Sequence, residues 1–242
     1  MGISVSDLRH LRERSHKIQS MIRSGVIPES ICNEIRHYYS ELSGGEGKSV
    51  PVSVRSSALS EDMAAASFAG QLESFLNVEG LDSVLNSIVG CYASLYSERA
   101  ISYRLTQGIP EERMGISVGI QKMIRSDLGV AGVMFTIDPE TGFDQAIVIN
   151  ASYGWGESVV KGAVNPDEYV VHKAKLNEGF APILRRSRGF KDTKVTASAD
   201  REQRVQNERV PEDQQKRFAL NLQEILQLAR WAVIIENHFS KR

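Results

Sequence analysis

Apolar residues at the beginning of the chain recur every three or four positions, which is the spacing of one face of a helix. One run covers residues 5–24 and is followed by Gly25, and the next extends from Glu29 to Leu42 behind Pro28. Glycine after the last turn and proline at the first turn are typical of helix boundaries. The pattern therefore predicts two amphipathic helices that form a hairpin.

The pattern changes to strand after residue 50. Val50–Val54 alternates as a short strand, residues 55–78 are rich in small and polar side chains, and Phe75–Val78 has the pattern of a second strand. Helical spacing then returns over Leu81–Gln107, which predicts one long helix.

Strands dominate after Ile116. Four are predicted, separated by turn signals such as Asp138-Pro139 rather than by long helices. They are Val118–Met123, Ala131–Ile137, Ala146–Ala151 and Glu168–His172. Strands that follow one another in this way favour an antiparallel sheet.

The last part of the chain is first polar and then amphipathic. Asp192–Asp213 is rich in Gln and Arg and is predicted to be a mobile loop or a poorly ordered insert. Pro211 opens a helix that continues to about Phe239. The predicted fold class is α+β. We expect the helical hairpin and the small-residue segment in residues 1–115, and the sheet with its C-terminal helix in residues 116–242.

Composition excludes several classes of protein. The chain has 29 Lys and Arg against 30 Asp and Glu, so its net charge of -1 provides no overall attraction to nucleic acid or to an anionic membrane. Cys32 and Cys91 lie far apart without metal-ligand spacing, which argues against a zinc site or a disulfide framework and fits a reducing cytosol. No segment approaches the roughly 18 apolar residues of a membrane span. We expect a soluble cytoplasmic protein whose anion sites are built locally.

The segment with the most chemistry is residues 54–78, VRSSALSEDMAAASFAGQLESFLNV. Arg55 follows a strand and can bind two oxygens of a polyphosphate at once, while small residues allow backbone N–H groups to approach the same ligand. A polar surface hairpin with one exposed arginine is the alternative. The glycine-rich run SGGEGKS, residues 43–49, lacks the spacing of a phosphate-binding loop and is interpreted as a linker.

Residues 54–78 resemble the glycine- and serine-rich phosphate loop of the phosphoenolpyruvate synthase and pyruvate phosphate dikinase family, including the strings ASFAGQ and FLNV. Three further strings resemble consecutive blocks of that family in the same order: SERAISYR (97–104), IQKMIRSDLGVAGVMFTIDPETGFD (120–144) and GWGESVVKGAVNPDEYVVHK (154–173). The resemblance implies an ATP-grasp-like nucleotide-binding domain with flanking helices. In such a domain, the sheet of residues 116–172 would form one wall of the nucleotide-binding cleft, and residues 55–78 would close over that cleft.

The resemblance implies roles for residues of this segment. Arg55 resembles the family arginine that contacts the transferred phosphates, where its fixed charge would stabilise the phosphoryl oxygens. Ser56, Ser57, Ser67 and Gly70 would supply hydroxyl and backbone donors. The alternatives are a surface ion pair for the arginine and simple turn formation for the serines.

Further along the chain, the resemblance implies contacts with the nucleotide. Arg99 and Arg104 point to different sides of a helix, so one of them is expected to face the cleft, and Arg104 is taken as the candidate. Gln121 and Met123 share a face of a strand that resembles the family strand next to the adenine. The alternatives are solvated helix-end arginines, a polar residue at a sheet edge and a core methionine.

Three polar residues of the GWGESVVKG and PDEY blocks are also considered. Glu157 lies among glycines that allow a tight turn and would hold a ribose or a cation, although turn chemistry alone explains those glycines. Asp167 is expected to orient its strand rather than to touch ATP. His172 is expected to be structural or solvated, as a lone histidine at the end of a strand usually is, and the phosphorylated histidine of the family belongs to a separate domain.

The resemblance also implies parts that this sequence does not contain. They are an N-terminal element with a nucleotide-binding lysine, a strand with two carboxylates that hold Mg²⁺, a phosphohistidine domain and a pyruvate-binding domain. The chain is therefore expected to be the ATP-binding portion of a phosphoenolpyruvate synthase-like dikinase, cut short at both ends, inactive alone and with its main magnesium ligands missing. The alternatives are a non-catalytic nucleotide-binding remnant and a related phosphotransferase that acts on an antibiotic or a glucan.

Overall fold

Two units, residues 1–123 and 124–242, make up the chain in the computed structural model, which describes residues 8–58, 72–110, 115–198, 200 and 203–239. The division follows Met123, whereas the sequence placed the change after residue 115. No helix in the described ranges combines the length and the apolar character that a membrane span requires.

The first unit contains four helices and three strands among its described residues. In chain order they are α1 (Leu8–Arg23), α2 (Glu29–Ser43), β1 (Val52–Ala58), β2 (Ser74–Val78), α3 (Leu81–Ser94), α4 (Glu98–Gln107) and β3 (Ile116–Lys122). The helical hairpin and the first two strands were predicted. The strands form an antiparallel sheet in the order β2-β1-β3.

The core of this unit lies between one face of the sheet and the helices α2 and α3. Alternate residues of β1 are fully buried, as the period of a strand requires, and they pack with residues of α3. The cluster comprises Tyr39, Val52, Val54, Val78, Val84, Ile88 and Cys91. Tyr39 also joins elements by hydrogen bonds, because its hydroxyl donates to Val50 O at 2.9 Å and accepts from Gly80 N at 3.0 Å.

The prediction of one long helix over Leu81–Gln107 is wrong. α3 ends at Ser94 and α4 begins at Glu98, with Ser97 as the N-cap residue between them. The Ser97 hydroxyl accepts a hydrogen bond from Ala100 N at 3.2 Å, which satisfies one of the free donors at the start of α4. Apolar spacing continues across the break, so periodicity alone does not reveal it.

The single sheet predicted for residues 116–172 is also wrong. β3 pairs with β1 in the first unit, with Arg55 opposite Gly119 and Val52 opposite Lys122. The other three predicted strands belong to a separate sheet in the second unit. Alternation in a sequence marks a strand but does not identify its partner, and β1 lies about sixty residues away in the chain.

The second unit is built on a four-stranded antiparallel sheet in the order β4-β5-β6-β7. Its elements are β4 (Val130–Phe135), β5 (Ala146–Tyr153), α5 (Glu157–Val160), β6 (Asp167–His172), α6 (Lys173–Asn177), β7 (Ile183–Ser187), β8 (Thr193–Ala197), β9 (Val205–Arg209), α7 (Glu212–Gln215) and α8 (Leu222–Phe239). A short 3₁₀ turn, Ser126–Leu128, precedes β4.

Two predictions for the end of the chain need correction. The polar segment Asp192–Asp213 contains the strands β8 and β9, which pair as a hairpin and form their own two-stranded sheet. The last long helix begins at Leu222 rather than at Pro211, which precedes the short helix α7. Polar composition hides the hairpin because its strands carry few apolar residues.

The helix α8 covers one face of the four-stranded sheet. Alternate residues of β5 and β6 point to that face and pack against residues of α8 that are spaced by three or four positions. The buried cluster comprises Ile147, Ile149, Ala151, Tyr169, Val171, Leu176, Leu220, Ile225, Ala229 and Ala232.

A buried ion pair lies at the beginning of β6. The side chains of Asp167 and Lys191 are both fully excluded from solvent, with 2.5 Å between Oδ1 and Nζ. The carboxylate also accepts hydrogen bonds from Gly189 N at 2.8 Å, Ala219 N at 2.6 Å and the Tyr169 hydroxyl at 3.1 Å. Burial, more than the adjacent carboxylate, raises the pKa of Tyr169, so its hydroxyl keeps its proton and remains a donor.

Replacement of Lys191 by Met should strongly destabilise the second unit, because it leaves the buried carboxylate of Asp167 without its counter-charge. We expect a loss of about 3–5 kcal/mol in the free energy of unfolding, measured by urea denaturation at pH 7. The left-handed backbone at Lys191, with φ of 43°, is present with either side chain and should not contribute to the difference.

The matched control is Lys175→Met, which removes the lysine of the exposed pair Lys175–Glu178. It should cost less than about 1 kcal/mol. Equal losses for the two variants would contradict a structural role for the buried pair.

The two cysteines should differ in reactivity. Burial, reinforced by the Glu73 carboxylate, raises the pKa of Cys91 from 9.0 to about 11, whereas Cys32 is half-buried. Because the thiolate is the reactive form, iodoacetamide at pH 8 should alkylate Cys32 in the folded chain and leave Cys91 unmodified. Mass spectrometry measures the extent of alkylation of each cysteine. The urea-unfolded chain is the control, and folded-state labelling of Cys91 at the unfolded rate would contradict the assignment.

Candidate functional site

The candidate site begins with two exposed side chains on the same face of the first unit's sheet. Arg55 lies opposite Gly119 and Ser53 lies opposite Gln121 in the β1–β3 pair. Directly opposed residues share a face, and so do residues two apart in one strand, so Arg55 and Gln121 are diagonal neighbours. This face is opposite to the one that buries Val52 and Val54. The structure thus brings together the predicted cationic residue and the predicted amide.

Small residues surround the Arg55 side chain on this face. Gly119, directly across from it, contributes no side chain, and Ser57 and Ser117 lie one step further along the two strands. Ser117 Oγ donates to Ser57 O at 3.4 Å, and both serines are exposed. This face of the sheet therefore presents a guanidinium group next to two hydroxyl groups and an accessible backbone.

The predicted serines of the segment 55–78 do not all lie on the same face of the sheet. Ser57 shares the face of Arg55, but Ser56 lies on the other face, where its hydroxyl donates to Glu73 O at 3.0 Å. Ser67 and Gly70 lie outside the described residues.

The strand β3 ends with a distinctive arrangement of backbone groups. Met123 N donates to Pro51 O at 2.9 Å, so the extended conformation continues beyond Lys122. Because successive residues of a strand direct their backbone groups to opposite sides, the N–H and C=O of Lys122 point away from β1. Within the described ranges, no backbone hydrogen bond to another strand occupies that side. These two groups form a donor–acceptor pair next to Gln121 and Met123.

Arg104 lies in the last turn of α4, and only 8% of it is exposed, whereas Arg99 is exposed. The guanidinium carbon of Arg104 lies 5.3 Å from the centroid of the Tyr96 ring, a cation–π contact. Its Nη1 is buried, and among the described residues it has no hydrogen-bond partner. A buried donor of this kind requires a hydrogen-bond partner, which an ordered water or a ligand oxygen can supply.

Glu157 belongs to the second unit and is the first residue of α5. It follows the turn of residues 154–156, in which Gly154 takes a left-handed φ of 84° that favours glycine. Its carboxylate accepts a hydrogen bond from Lys161 Nζ at 2.5 Å. The Glu157 side chain is 29% exposed and the Lys161 side chain is 67% exposed, so a ligand can compete for the carboxylate.

The described residues do not fit a magnesium site. Glu157 is bound to Lys161, and Asp167 is saturated by Lys191 and three further donors. Among the described residues, no three His, Cys, Asp or Glu side chains come close enough to hold a metal ion. His172, at the end of β6, contacts the ring of Phe143, with 6.4 Å between ring centroids.

Two residues near these positions were not identified from the sequence. Tyr96 stacks on Arg104 from the segment between α3 and α4, and the break that places it there was not predicted. Lys191 is the partner of Asp167, but it stands next to a polar stretch that has the composition of a solvated loop. Its signal in the sequence is weak, because a buried lysine and an exposed one look alike.

Comparison with known proteins gives one consistent result. The family model for the pyruvate phosphate dikinase AMP/ATP-binding domain matches residues 1–242. The chain is 48% identical over 242 residues to the phosphoenolpyruvate synthase of Aquifex aeolicus, covering 100% of this chain and 28% of that protein. It is 46% identical to the phosphoenolpyruvate synthase of Synechocystis, covering 98% of the chain and 30% of the relative. For the Escherichia coli phosphoenolpyruvate synthase, identity is 42%, with coverages of 98% and 30%. The chain therefore spans less than a third of the length of these curated relatives.

Proposed function

The chain belongs to the family of pyruvate phosphate dikinase AMP/ATP-binding domains, and we propose that it binds ATP and supplies the ATP half-reaction of a phosphoenolpyruvate synthase-like dikinase. The observation that carries this proposal is the shared exposed face of Arg55, Gly119 and Gln121 in the pair β1–β3. It provides a fixed cation for phosphate and hydrogen-bonding groups for a base within one unit of the protein.

Arg55 is the proposed catalytic residue. A guanidinium group keeps its charge at any working pH and presents paired donors that match two phosphate oxygens. Phosphoryl transfer depends mainly on positioning and on charge stabilisation of those oxygens, which is what such a group provides. Gly119 and the exposed Ser57 leave room for the phosphates beside it, and the proposal extends to Ser56, Ser67 and Gly70 as donors of the segment 55–78.

The end of β3 is the proposed adenine site. The outward N–H and C=O of Lys122 offer one donor and one acceptor in a strand, and such backbone pairs orient planar polar ligands. Gln121 adds an amide side chain, and Met123 offers a polarisable apolar surface for an aromatic base.

Two further residues are proposed to bind the nucleotide. The unsatisfied Nη1 of Arg104 would bind a phosphate oxygen, since burial makes a charge-assisted hydrogen bond favourable there. Glu157 would accept hydrogen bonds from the ribose hydroxyls by exchanging its contact with Lys161.

The acceptor of the phosphoryl group is proposed from the family. In a complete enzyme, the group would pass from ATP to a histidine on a separate phosphohistidine domain and then to pyruvate on a further domain. Those domains are the proposed partners of this chain, because its relatives are more than three times longer. Mg²⁺ is proposed for the complete domain, with its main ligands outside the described residues, and the protein is proposed to be cytoplasmic.

A non-catalytic nucleotide-binding role is the second candidate. It is favoured by the burial of Asp167 in its pair with Lys191, which leaves that carboxylate unavailable to a metal. The names of the relatives support a phosphoenolpyruvate synthase over a phosphotransferase that acts on an antibiotic or a glucan.

Substitution of Arg55 tests the proposed phosphate contact. Arg55→Ala should weaken ATP binding by about 1.5–3 kcal/mol, the range for charged hydrogen bonds, and Arg55→Lys should lose part of that, because lysine keeps the charge without the planar pair of donors. Adenosine affinity and the free energy of unfolding should change little. Calorimetric titration with ATP and adenosine measures both affinities.

Arg23→Ala is the matched control, because Arg23 is an exposed arginine at the end of α1 in the same unit. It should leave both affinities unchanged. A variant at Arg55 that weakens ATP and adenosine equally, or that unfolds the protein, would show that Arg55 is structural.

Magnesium should change the ATP affinity of the 242-residue chain by less than about threefold, since Asp167 is buried in its pair with Lys191 and no three His, Cys, Asp or Glu side chains of the described residues come together to hold the metal. The measurement is the same titration with and without MgCl₂. Tight binding that strictly requires the metal would contradict this expectation and would direct attention to Glu157.

A further inference from the structure

The turn of residues 154–156 is held from two sides by elements distant in sequence. Gly154 N donates to Gly129 O at 3.2 Å, just before β4, and Trp155 N donates to Val195 O at 3.0 Å, in the middle of β8. The β8–β9 hairpin therefore supplies a long-range backbone bond that fixes the path of this turn.

The contact between the turn and the hairpin is close. A Cβ added to Gly154 would lie 2.6 Å from Val195 O and 3.0 Å from the Cβ of Lys194, so only glycine fits without movement. Trp155 is 3% exposed at the same junction. Because these contacts involve backbone atoms, they cannot be relieved by a change of rotamer.

The turn in its own right fixes the start of α5. Val159 N and Val160 N both donate to Gly156 O, at 3.1 and 3.0 Å, and Ser158 Oγ donates to Trp155 O at 3.3 Å. Glu157 stands between these bonded residues. Its backbone position is therefore determined by the turn, and through the turn by β8.

We infer that the β8–β9 hairpin is a positioning element for the Glu157 carboxylate, with Val195 and Gly154 as the positioning residues. The inference rests on the proposed function, since that function assigns the ribose to Glu157. The hairpin forms its own two-stranded sheet and does not extend the sheet β4–β7. It therefore acts on Glu157 by packing against the turn.

Reciprocity is a consequence of this coupling. If the hairpin contact orients Glu157 for the ribose, then a ligand bound to Glu157 stabilises the hairpin contact by the same factor. Adenosine should therefore slow hydrogen exchange at the Trp155 amide, which donates to Val195 O. This readout needs no variant.

The test compares two glycines that flank α5. Gly154 and Gly162 have left-handed φ of 84° and 64°, so alanine is strained at both, but a Cβ on Gly162 meets nothing within 4 Å. Gly154→Ala should raise the dissociation constants of ATP and adenosine by about fivefold or more, the lower end of usual coupling factors. Gly162→Ala should change both by less than about twofold.

A double-mutant cycle separates positioning from general damage. If Gly154 acts through Glu157, then Gly154→Ala should cause no further loss of adenosine affinity in a Glu157→Ala background. Additive losses would overturn the inference. Unfolding measured through Trp155, in a Trp231→Phe background that leaves one tryptophan, verifies that the variants are folded.

The outcomes also separate this inference from the proposed function. Absence of ATP and adenosine binding in the unaltered chain would refute the function, and unchanged exchange at the Trp155 amide in Gly154→Ala would refute the hairpin contact. Normal nucleotide binding in Gly154→Ala, with a disrupted contact, would refute the positioning role alone.

Discussion

The fully buried pair of Asp167 and Lys191 is the interaction on which the second unit depends. Two charges without access to water are stable only when their remaining hydrogen-bonding positions are filled. Gly189 N, Ala219 N and the Tyr169 hydroxyl fill those of the carboxylate. Since these donors come from three segments, the pair fixes β6, the turn before β8 and the approach to α8 in one arrangement.

The effect of this pair extends along the chain in both directions. Lys191 lies two residues before β8, so the ion pair fixes the position from which the β8–β9 hairpin begins. Val195 of that hairpin contacts the turn before α5. On the other side, the bond to Ala219 N sets the approach to α8, whose apolar face covers β5 and β6. A single electrostatic contact thus links the core of this unit with the turn that carries Glu157.

The sequence predicts elements better than it predicts their partners. The spacing of apolar residues alone identified α1, α2 and most strands, because an element with one buried face carries apolar residues at regular intervals. It did not reveal that β3 pairs with β1, that Ser97 begins a new helix or that Lys191 is buried, since each depends on residues far away or on one side chain. The separation of Ser56 from Ser57 was missed because the first strand was predicted to end at Val54, whereas it continues to Ala58 and alternates across the serines.

If the main chain at Lys122 binds a base, as proposed, the link between sequence and specificity changes. The N–H and C=O that point away from β1 are the same for every amino acid except proline, which lacks the N–H group. A base bound through them would tolerate almost any side chain at this position, and substitution scans would pass over it. A shift of one residue between β1 and β3 would instead turn these groups inward and remove the binding pair. Specificity of this kind is encoded in strand register rather than in residue type.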